Sequence, residues 1–551
     1  MEIICKNLDN KILHYPVGTR LSEIAADIEI NLKYPIIGAL VNNKARELDY
    51  QVFNPKIIQF IDVTHFVGYQ MYLRSLSFIL YKAVKDLYPE ATLKICHSIS
   101  GGKFCEVENT GGIVNGELSL KLLKRMQEIV EADIPFKRSE ILTKDAIEIY
   151  TNHNLPDKKL LFSFRTLLYT SVYQLDDAIN YYYGYLAPST SYINVFNLTP
   201  FHNGLLLQGP SRYNPQKTSG INAQSKLFQI FQEHKKWVDI LGVSYVGDIN
   251  NAIVNHQIPN LIKISETLHE KKLGSIADEI NARKDVKVVL VSGPSSSGKT
   301  TFSKRLSVHL EIFGHKPVLL SVDNYFVDRE HTPKDENGHY DFECLEALDL
   351  KLFNEQLLQL LNGEEVNVPT FDFNTGEKQF LGNTLKLQDN SILIIEGIHG
   401  LNPKLTEKVD DSLKYKIFVS ALTQISIDSQ NPIPTTDNRL IRRMVRDYRY
   451  RGYSALETLR RWQSVRKGED KWIFPFQENA DIMFNSALLA ELGILKQYAE
   501  PILREVPESE PEYAEAVRLL KFLSYFKLIS EEDIPPTSIL REFFGGSSFR
   551  Y

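Results

Sequence analysis

Gly293-Pro294-Ser295-Ser296-Ser297-Gly298-Lys299-Thr300 is a full G-x-x-x-x-G-K-[ST] phosphate loop, and its flanks turn the match into a mechanism. An apolar run, Lys287 to Ser292, precedes it. A helical pattern follows, with Phe302, Leu306 and Leu310 recurring four apart and Gly314 as the stop. In a strand–loop–helix of this kind the glycines let backbone N–H groups face phosphates and the helix start adds positive dipole. Lys299 then reaches the β/γ-phosphates, and the Thr300 hydroxyl is available to Mg²⁺. Gly293, Pro294, Ser295, Ser296, Ser297, Gly298, Lys299, Thr300 and Thr301 are therefore the expected contacts of a nucleoside triphosphate, with ATP and Mg²⁺ as the expected cofactors.

Two acidic side chains arrive from further strands. An apolar stretch, Pro317 to Val322, delivers Asp323, and a second, Ile392 to Ile395, delivers Glu396. Open α/β sheets bind ligands off the carboxyl ends of their strands, so both carboxylates are expected to face the phosphates. One would orient an attacking hydroxyl and take its proton; the other would hold the metal's water shell, with Thr300, Asp323 and Glu396 as the metal set. Downstream, Asp437 to Arg451 reads as a basic helix with Arg439, Arg443 and Arg446 on one face and Leu440, Ile441, Met444, Val445 and Tyr448 on the other. Charged faces are usually solvated. Few acids on this helix can pair with its arginines, and phosphoryl transfer needs such cations, so a lid helix is expected.

At 551 residues the chain exceeds what one core serves, and roughly two to four domains are expected. The formal charge of −6 makes no global case for nucleic acid or membrane, although a local basic patch remains open. No apolar run is long enough to span a bilayer, and the start lacks a leader pattern, so a cytoplasmic setting is the expectation. Cys5, Cys96, Cys105 and Cys344 show no metal spacing and read as reduced thiols.

Residues 1–64 read as a hairpin (Met1 to Cys5, Ile12 to Tyr15), a helix carrying Leu21, Ile24 and Ile28 after a Gly18-Thr19 cap, and further strands around an Asn42-Asn43 turn. That order resembles the β-grasp TGS domain at the front of threonyl-tRNA synthetases. Residues 66–225 resemble the second, α+β editing-type domain of the same synthetases, most clearly in Lys82-Ala83-Val84-Lys85-Asp86-Leu87-Tyr88-Pro89. The resemblance implies a metal held by two helical histidines and a later Cys and His. Those helical positions are Arg74 and Phe78 here, and Gly184 to Thr190 has neither Cys nor His, so the editing chemistry is expected to be absent. His97 and Cys105 alone make a poor replacement set. Residues 226–285 read as a helical connector, and 506–551 as a tail docking on the body.

Residues 286–505 resemble the uridine kinase family of P-loop kinases in order and spacing: GPSSSGKTT, SVDNYF, YDFECLEALD, VPTFDF, IIEGIHGL, DNRLIRRMVRDYRYRG and NADIMFN. The resemblance implies a multidomain α/β chain ending in a parallel-sheet kinase. Asp323 would act as base toward a nucleoside 5′-hydroxyl, Glu396 as the Walker-B-like carboxylate, and Lys299, Arg446 and Arg451 as the catalytic cations. Acceptor contacts would come from Tyr325, Phe342, Glu343, Phe371, Arg443 and Tyr453. The departures cluster on the base: Gly376 replaces a base-reading histidine, Phe371 a tyrosine and Tyr453 a lid arginine. Removing such readers relaxes choice. A homo-oligomer is also expected, and RNA stays an open partner that the charge does not support. Two other readings stay open: a nucleotide- or tRNA-sensing regulator with the kinase half as switch, and a sugar or polyol kinase of the phosphoribulokinase type.

Overall fold

The computed structural model describes residues 1–110, 115–336, 338–372 and 375–551. Phe373, the last residue of the VPTFDF string, lies outside them. The loop-bearing region is built on a five-stranded parallel sheet ordered Lys316–Ser321, Ser391–Glu396, Val288–Ser292, Lys414–Ser420 and Ile482–Asn485. Strands covered on both faces must be apolar throughout, and the central one, Val288–Ser292, is buried at every position. Its alternate residues feed different layers. Val288 and Leu290 join Leu393, Ile395, Tyr325 and Phe353 on one face, whereas Val289 and Val291 join Ile394, Phe302, Leu306 and Leu310 on the other.

Near the amino end, a mixed sheet runs in the order Lys11–His14, Glu2–Cys5, Lys56–Ile61, Gly38–Val41, Lys44–Arg46. Glu2–Cys5 and Lys56–Ile61 are parallel and the other neighbours antiparallel. Asn42 and Asn43 both take positive φ, 47° and 54°, as a two-residue hairpin turn of matching twist requires. The helix Leu21–Asp27 packs Leu21 and Ile24 under this sheet. Its cap is Arg20 rather than Gly18-Thr19, because the Glu23 carboxylate reaches back 3.0 Å to the Arg20 amide. The next segment combines a long helix, Phe66–Leu87, with an antiparallel sheet of Asn197–Phe201, Gly204–Gln208, Gly102–Glu108 and Thr92–Ile99, and with a three-stranded sheet starting at Lys137–Leu142.

Between residues 225 and 282 the chain forms three helices, Ser225–Leu241, Val246–Val254 and Ile258–Ala282. They do more than connect. A single apolar core runs from Tyr150 and Phe162 through Ile249, Leu261 and Leu273 into the sheet around Val289 and Ile417, and on to Leu540, Phe543 and Phe544 near the carboxyl end. At the seam, Lys158 is fully buried, with its ammonium 3.2 Å from Asp428 and 3.6 Å from Asp157. Asp157 in turn accepts from the Ser429 amide and hydroxyl, at 2.8 and 2.7 Å. Among the described residues, no helix is long and apolar enough to cross a membrane.

Removing one partner of a buried ion pair strands the other's charge. Lys158→Ala should therefore destabilise the protein by about 3–5 kcal/mol, read from the midpoint and slope of denaturant unfolding. A loss near zero would show that this seam is not part of the cooperative core.

Candidate active site

Strand register brings the site together. Ser321 pairs with Glu396, and Glu396 pairs with Val291, so three parallel strands end at one level. Just beyond lie Asp323, in the turn Val322–Tyr325, and the phosphate loop. The loop needs its glycines: a Cβ on Gly293 would stand 2.0 Å from the Val419 carbonyl oxygen, and Gly298 holds φ at +84°. The helix Lys299–Ile312 starts immediately after it. Ser486 donates to the Ser297 carbonyl and fixes the loop from below. The Ser296 and Ser297 hydroxyls are buried without a hydrogen-bond partner, and Lys299 folds back to donate to the Pro294 carbonyl at 3.3 Å.

Glu396 is the hub of the acidic side. One of its oxygens accepts from Thr300 Oγ1 at 3.2 Å and from Ser321 Oγ at 3.1 Å. Burial, with the Asp323 charge adding to it and the Lys299 ammonium opposing, pushes its carboxyl up to about 7. Hydroxyl and carboxylate oxygens are the donors a hard divalent ion takes. With two loop hydroxyls lacking partners, the residues present fit a magnesium–triphosphate complex held by Thr300, Asp323 and Glu396. Glu343 sits under the helix Ala455–Trp472, where Gly468 closes so tightly over it that a Cβ there would stand 2.2 Å from the Glu343 Cβ. Its Oε2 has no hydrogen-bond partner. Burial pushes this carboxyl up to about 7 as well, against the pull of the Arg443 guanidinium and with Glu469 and Asp323 adding to the rise.

The basic helix differs from the sequence expectation. Thr435–Arg451 is part of the core, not a lid: Leu440, Ile441 and Met444 are fully buried, and so are Arg439 and Arg442. Arg439 pairs with Glu469 and donates from Nε to the Ser295 carbonyl at 3.0 Å, while Arg442 pairs with Glu491 at 2.5 Å. The acids missing from the helix come from Ala455–Trp472 and Glu491–Arg504. Tyr448, expected on the apolar side, is exposed. Toward the helix's carboxyl end, Asp447 holds Arg443 at 3.2 Å, Arg446 at 2.7 Å and Arg451 at 3.6 Å. The Arg446 charge pushes Arg451 down to about 10, the mark of cations crowded round one counter-ion. Arg443 also donates to the Ser295 hydroxyl at 2.9 Å, so it contacts the phosphate loop as well as Asp447.

Other expected acceptor residues scatter. Tyr325 departs most: it is fully buried, its hydroxyl donates to Gln356 at 2.7 Å, and its ring meets Phe353 edge-on, so it faces the core. Phe342 is 43% exposed beside Tyr340. Phe371 packs on Phe326, and Tyr453 carries the Arg461 guanidinium 4.2 Å above its ring. Sequence reasoning missed four participants. Asp447 was findable at i+4 from Arg443. His399, three residues after Glu396, is buried, and burial pushes it down to about 4, so it is a neutral imidazole beside the backbone of Glu343 and Cys344. Glu469, which accepts from the Ser295 amide at 3.3 Å, and Glu542, which accepts from the Thr301 amide at 3.2 Å, carry no local signal.

In the second segment, Arg74 donates to the Tyr185 carbonyl at 2.8 Å and lies over the Tyr183 ring, while Phe78 joins an aromatic cluster with Tyr81, Phe136 and Tyr182. His97 stacks on Phe231 at 3.6 Å and is pushed down to about 3 by burial; Cys105 is pushed up to about 12.

A phosphate loop on the central strand of a parallel sheet, with carboxylates at the neighbouring strand ends, defines a P-loop kinase. Comparison with known proteins agrees: the profile described as "Phosphoribulokinase / Uridine kinase family" matches residues 288–490. A uridine kinase of Staphylococcus aureus is 31% identical over 197 residues, which are 36% of this chain and 86% of that protein. The chain therefore belongs to the phosphoribulokinase/uridine kinase family. Solved structures with a detectable likeness include a "possible uridine kinase" from Bacillus stearothermophilus, 20% identical over 36% of this chain and 89% of that one, with a TM-score of 0.24. Another is a D-glycerate 3-kinase from Cryptococcus neoformans, 13% identical over 46% and 87%, with a TM-score of 0.21.

The Glu343 carboxyl yields a pH prediction. Its folded value near 7 lies above the ordinary 4.5, so the folded protein binds the extra proton between those values and stability falls as pH rises through that window. Glu343→Gln should therefore stabilise the protein at pH 8 by about 1–3 kcal/mol, a gain that vanishes by pH 4.5, in paired thermal melts. An equal effect at both pH values would mean the carboxyl is not held in its neutral form.

Proposed function

We propose that residues 286–505 form an ATP- and Mg²⁺-dependent kinase domain that transfers the γ-phosphoryl group to a primary hydroxyl, the 5′-hydroxyl of a nucleoside being the favoured acceptor. The observation that carries this reading is Glu396, a half-buried carboxylate at a strand end that accepts from the Thr300 hydroxyl at 3.2 Å and lies within the fields of Asp323 and Lys299. Bound magnesium would supply charge neutralisation on the phosphates. Lys299, Arg446 and Arg451 would spread the negative charge that develops during transfer, and Asp323 would take the acceptor's proton. Glu343, with its unpartnered buried oxygen, and Arg443 beside it would hold sugar hydroxyls. A hydroxyl that satisfies such an orphan acceptor is favoured over a substrate lacking it.

Uridine itself is less favoured than the class. A Cβ at Gly376, where the family's base-reading histidine stands, would meet the Arg329 guanidinium at 2.7–2.8 Å and its Cβ at 2.9 Å, and the backbone there holds φ at +80°. Both features disfavour a side chain at this position, so the base edge is read by other residues or not at all. Within the same reading, residues 1–64 are a TGS-like β-grasp domain, supported by the parallel pairing of its first and last strands. Residues 66–225 are a synthetase-editing-like domain with Arg74 in place of a metal ligand.

The test is ADP release by the full-length protein with ATP and Mg²⁺ across a panel of nucleosides and polyols. Asp323→Asn should lower turnover of the best acceptor by about 10²-fold or more while nucleotide binding persists. Unchanged turnover would remove Asp323 from the mechanism, and no turnover across the whole panel would remove the nucleoside.

A further inference from the structure

The amides that a triphosphate needs already have anionic partners from the same chain. At the start of the helix Lys299–Ile312, Glu542 Oε2 accepts from the Thr301 amide at 3.2 Å and from its hydroxyl at 2.6 Å. First-turn amides of a helix have no partner within it and carry the positive end of its dipole, so a carboxylate there is favourable. In a phosphate loop the same donors are what the phosphates use. The grip continues past this contact. Ile539 packs on the loop, with its Cγ2 2.5 Å from where a Cβ on Gly298 would stand. The Tyr551 hydroxyl lies 2.8 Å from Thr301 Oγ1, and Lys304 donates to the Arg550 carbonyl with its ammonium 4.5 Å from the Tyr551 ring centroid.

The backbone that carries Glu542 is anchored, so it is the Glu542 side chain that can leave the loop, while the residues after it make a separate contact. Phe543 packs under the Arg442 guanidinium at 5.0 Å, and Phe544 stacks on Tyr498 at 5.6 Å, which anchors Arg541–Phe544 on the core. Gly545 and Gly546 follow, both at positive φ, 96° and 75°, a backbone that other residues rarely adopt and that makes a natural hinge. Beyond them, Ser547 to Tyr551 is held to the loop helix by the Tyr551 and Lys304 contacts, to the Pro536 carbonyl by the Ser548 amide at 3.0 Å, and within itself by Ser547, which lies 3.1 Å from the Tyr551 hydroxyl.

We propose that the segment Ser538–Tyr551 is a self-inhibitory strap, in which the Glu542 carboxylate stands where a phosphate of the donor nucleotide must bind and is displaced when it does. The inference rests on the kinase reading of the loop. It makes the free protein a weaker nucleotide binder than its loop alone would be, and it gives any partner that draws the strap away a means of raising activity. Glu542→Gln keeps the shape of the side chain and removes its charge, so it tests the electrostatic competition without emptying the space.

The experiment is isothermal titration of ATP with Mg²⁺ into full-length wild type, Glu542→Gln and Lys299→Ala, together with hydrogen exchange of residues 545–551 in wild type with and without nucleotide. Losing a charge-assisted hydrogen bond from the closed state should tighten ATP binding to Glu542→Gln by roughly tenfold, and nucleotide should speed exchange in the strap. Glu542→Ala, checked for folding by its melt, should tighten binding at least as much. Equal affinity in wild type and both Glu542 variants, with strap exchange unchanged, would overturn the strap while leaving the kinase reading intact. No ATP binding by any variant, Lys299→Ala being indistinguishable from wild type, would overturn the kinase reading and the strap with it.

Discussion

A carboxylate held at the end of a buried parallel strand is the constraint on which this structure turns. Glu396 sits where burial alone would keep it neutral, and the site is arranged so that its charge becomes affordable only with cations nearby: Lys299 on one side and, on the proposed reading, a divalent ion on the other. The strand register makes this possible. With Ser321, Glu396 and Val291 level across three strands, the Asp323 turn and the phosphate loop can only open into the same cleft. The Thr300 hydroxyl, on the first turn of the helix, then falls 3.2 Å from the carboxylate without any distortion of either element.

Much of this was legible from local pattern. The glycine spacing, the apolar runs and the acids at their ends are short-range signals, and the sheet places Asp323 and Glu396 where those signals point. The hairpin turn at Asn42-Asn43 was legible for the same reason, because two residues with left-handed φ leave little choice of side chain. Partners far apart in sequence were not legible. Arg439, Arg442 and Glu469 cannot be told from surface charges by helical spacing, since the acids that neutralise the arginines arrive 30 and 49 residues later. Tyr325 failed in the opposite sense. Its place in the SVDNYF string suggested the site, but the turn Val322–Tyr325 rotates it toward Gln356 and the core.

The buried helix Thr435–Arg451 shows why a lid was the wrong inference from a sound observation. Phosphoryl transfer does need cations near the loop, and Arg443 touches it while Arg446 and Arg451 share its counter-ion. They are positioned by Asp447, a single carboxylate serving three guanidiniums, and by the burial of the helix's first turns. Preorganised charge of this kind acts without a moving element, because the dipoles are in place before the phosphates arrive. The surplus of positive charge around Asp447 is what an incoming phosphate would complete.

The two halves of the chain cannot be treated as a kinase with an appendage. The core that contains Val289 and Phe302 also contains Tyr150, Phe162 and Tyr181 of the second segment and Ile249 and Leu261 of the helices between them. Lys158 brings a positive charge from the second segment to Asp428 beyond the fourth strand of the kinase sheet. Further along, Asn43 and Lys44 in the amino-terminal sheet contact Glu508, and Arg518 on the helix Tyr513–Leu523 grips Asp437 at the start of the arginine helix, at 2.6 and 2.9 Å. A chain of contacts carries coupling only where a link has two arrangements. Two of these links, Lys158–Asp428 and Arg518–Asp437, are buried ion pairs, and they tie the kinase sheet and its arginine helix to the rest of the chain. Rigidity is the first contribution of the amino-terminal half, and any sensing role it holds must act on a site it already helps to build.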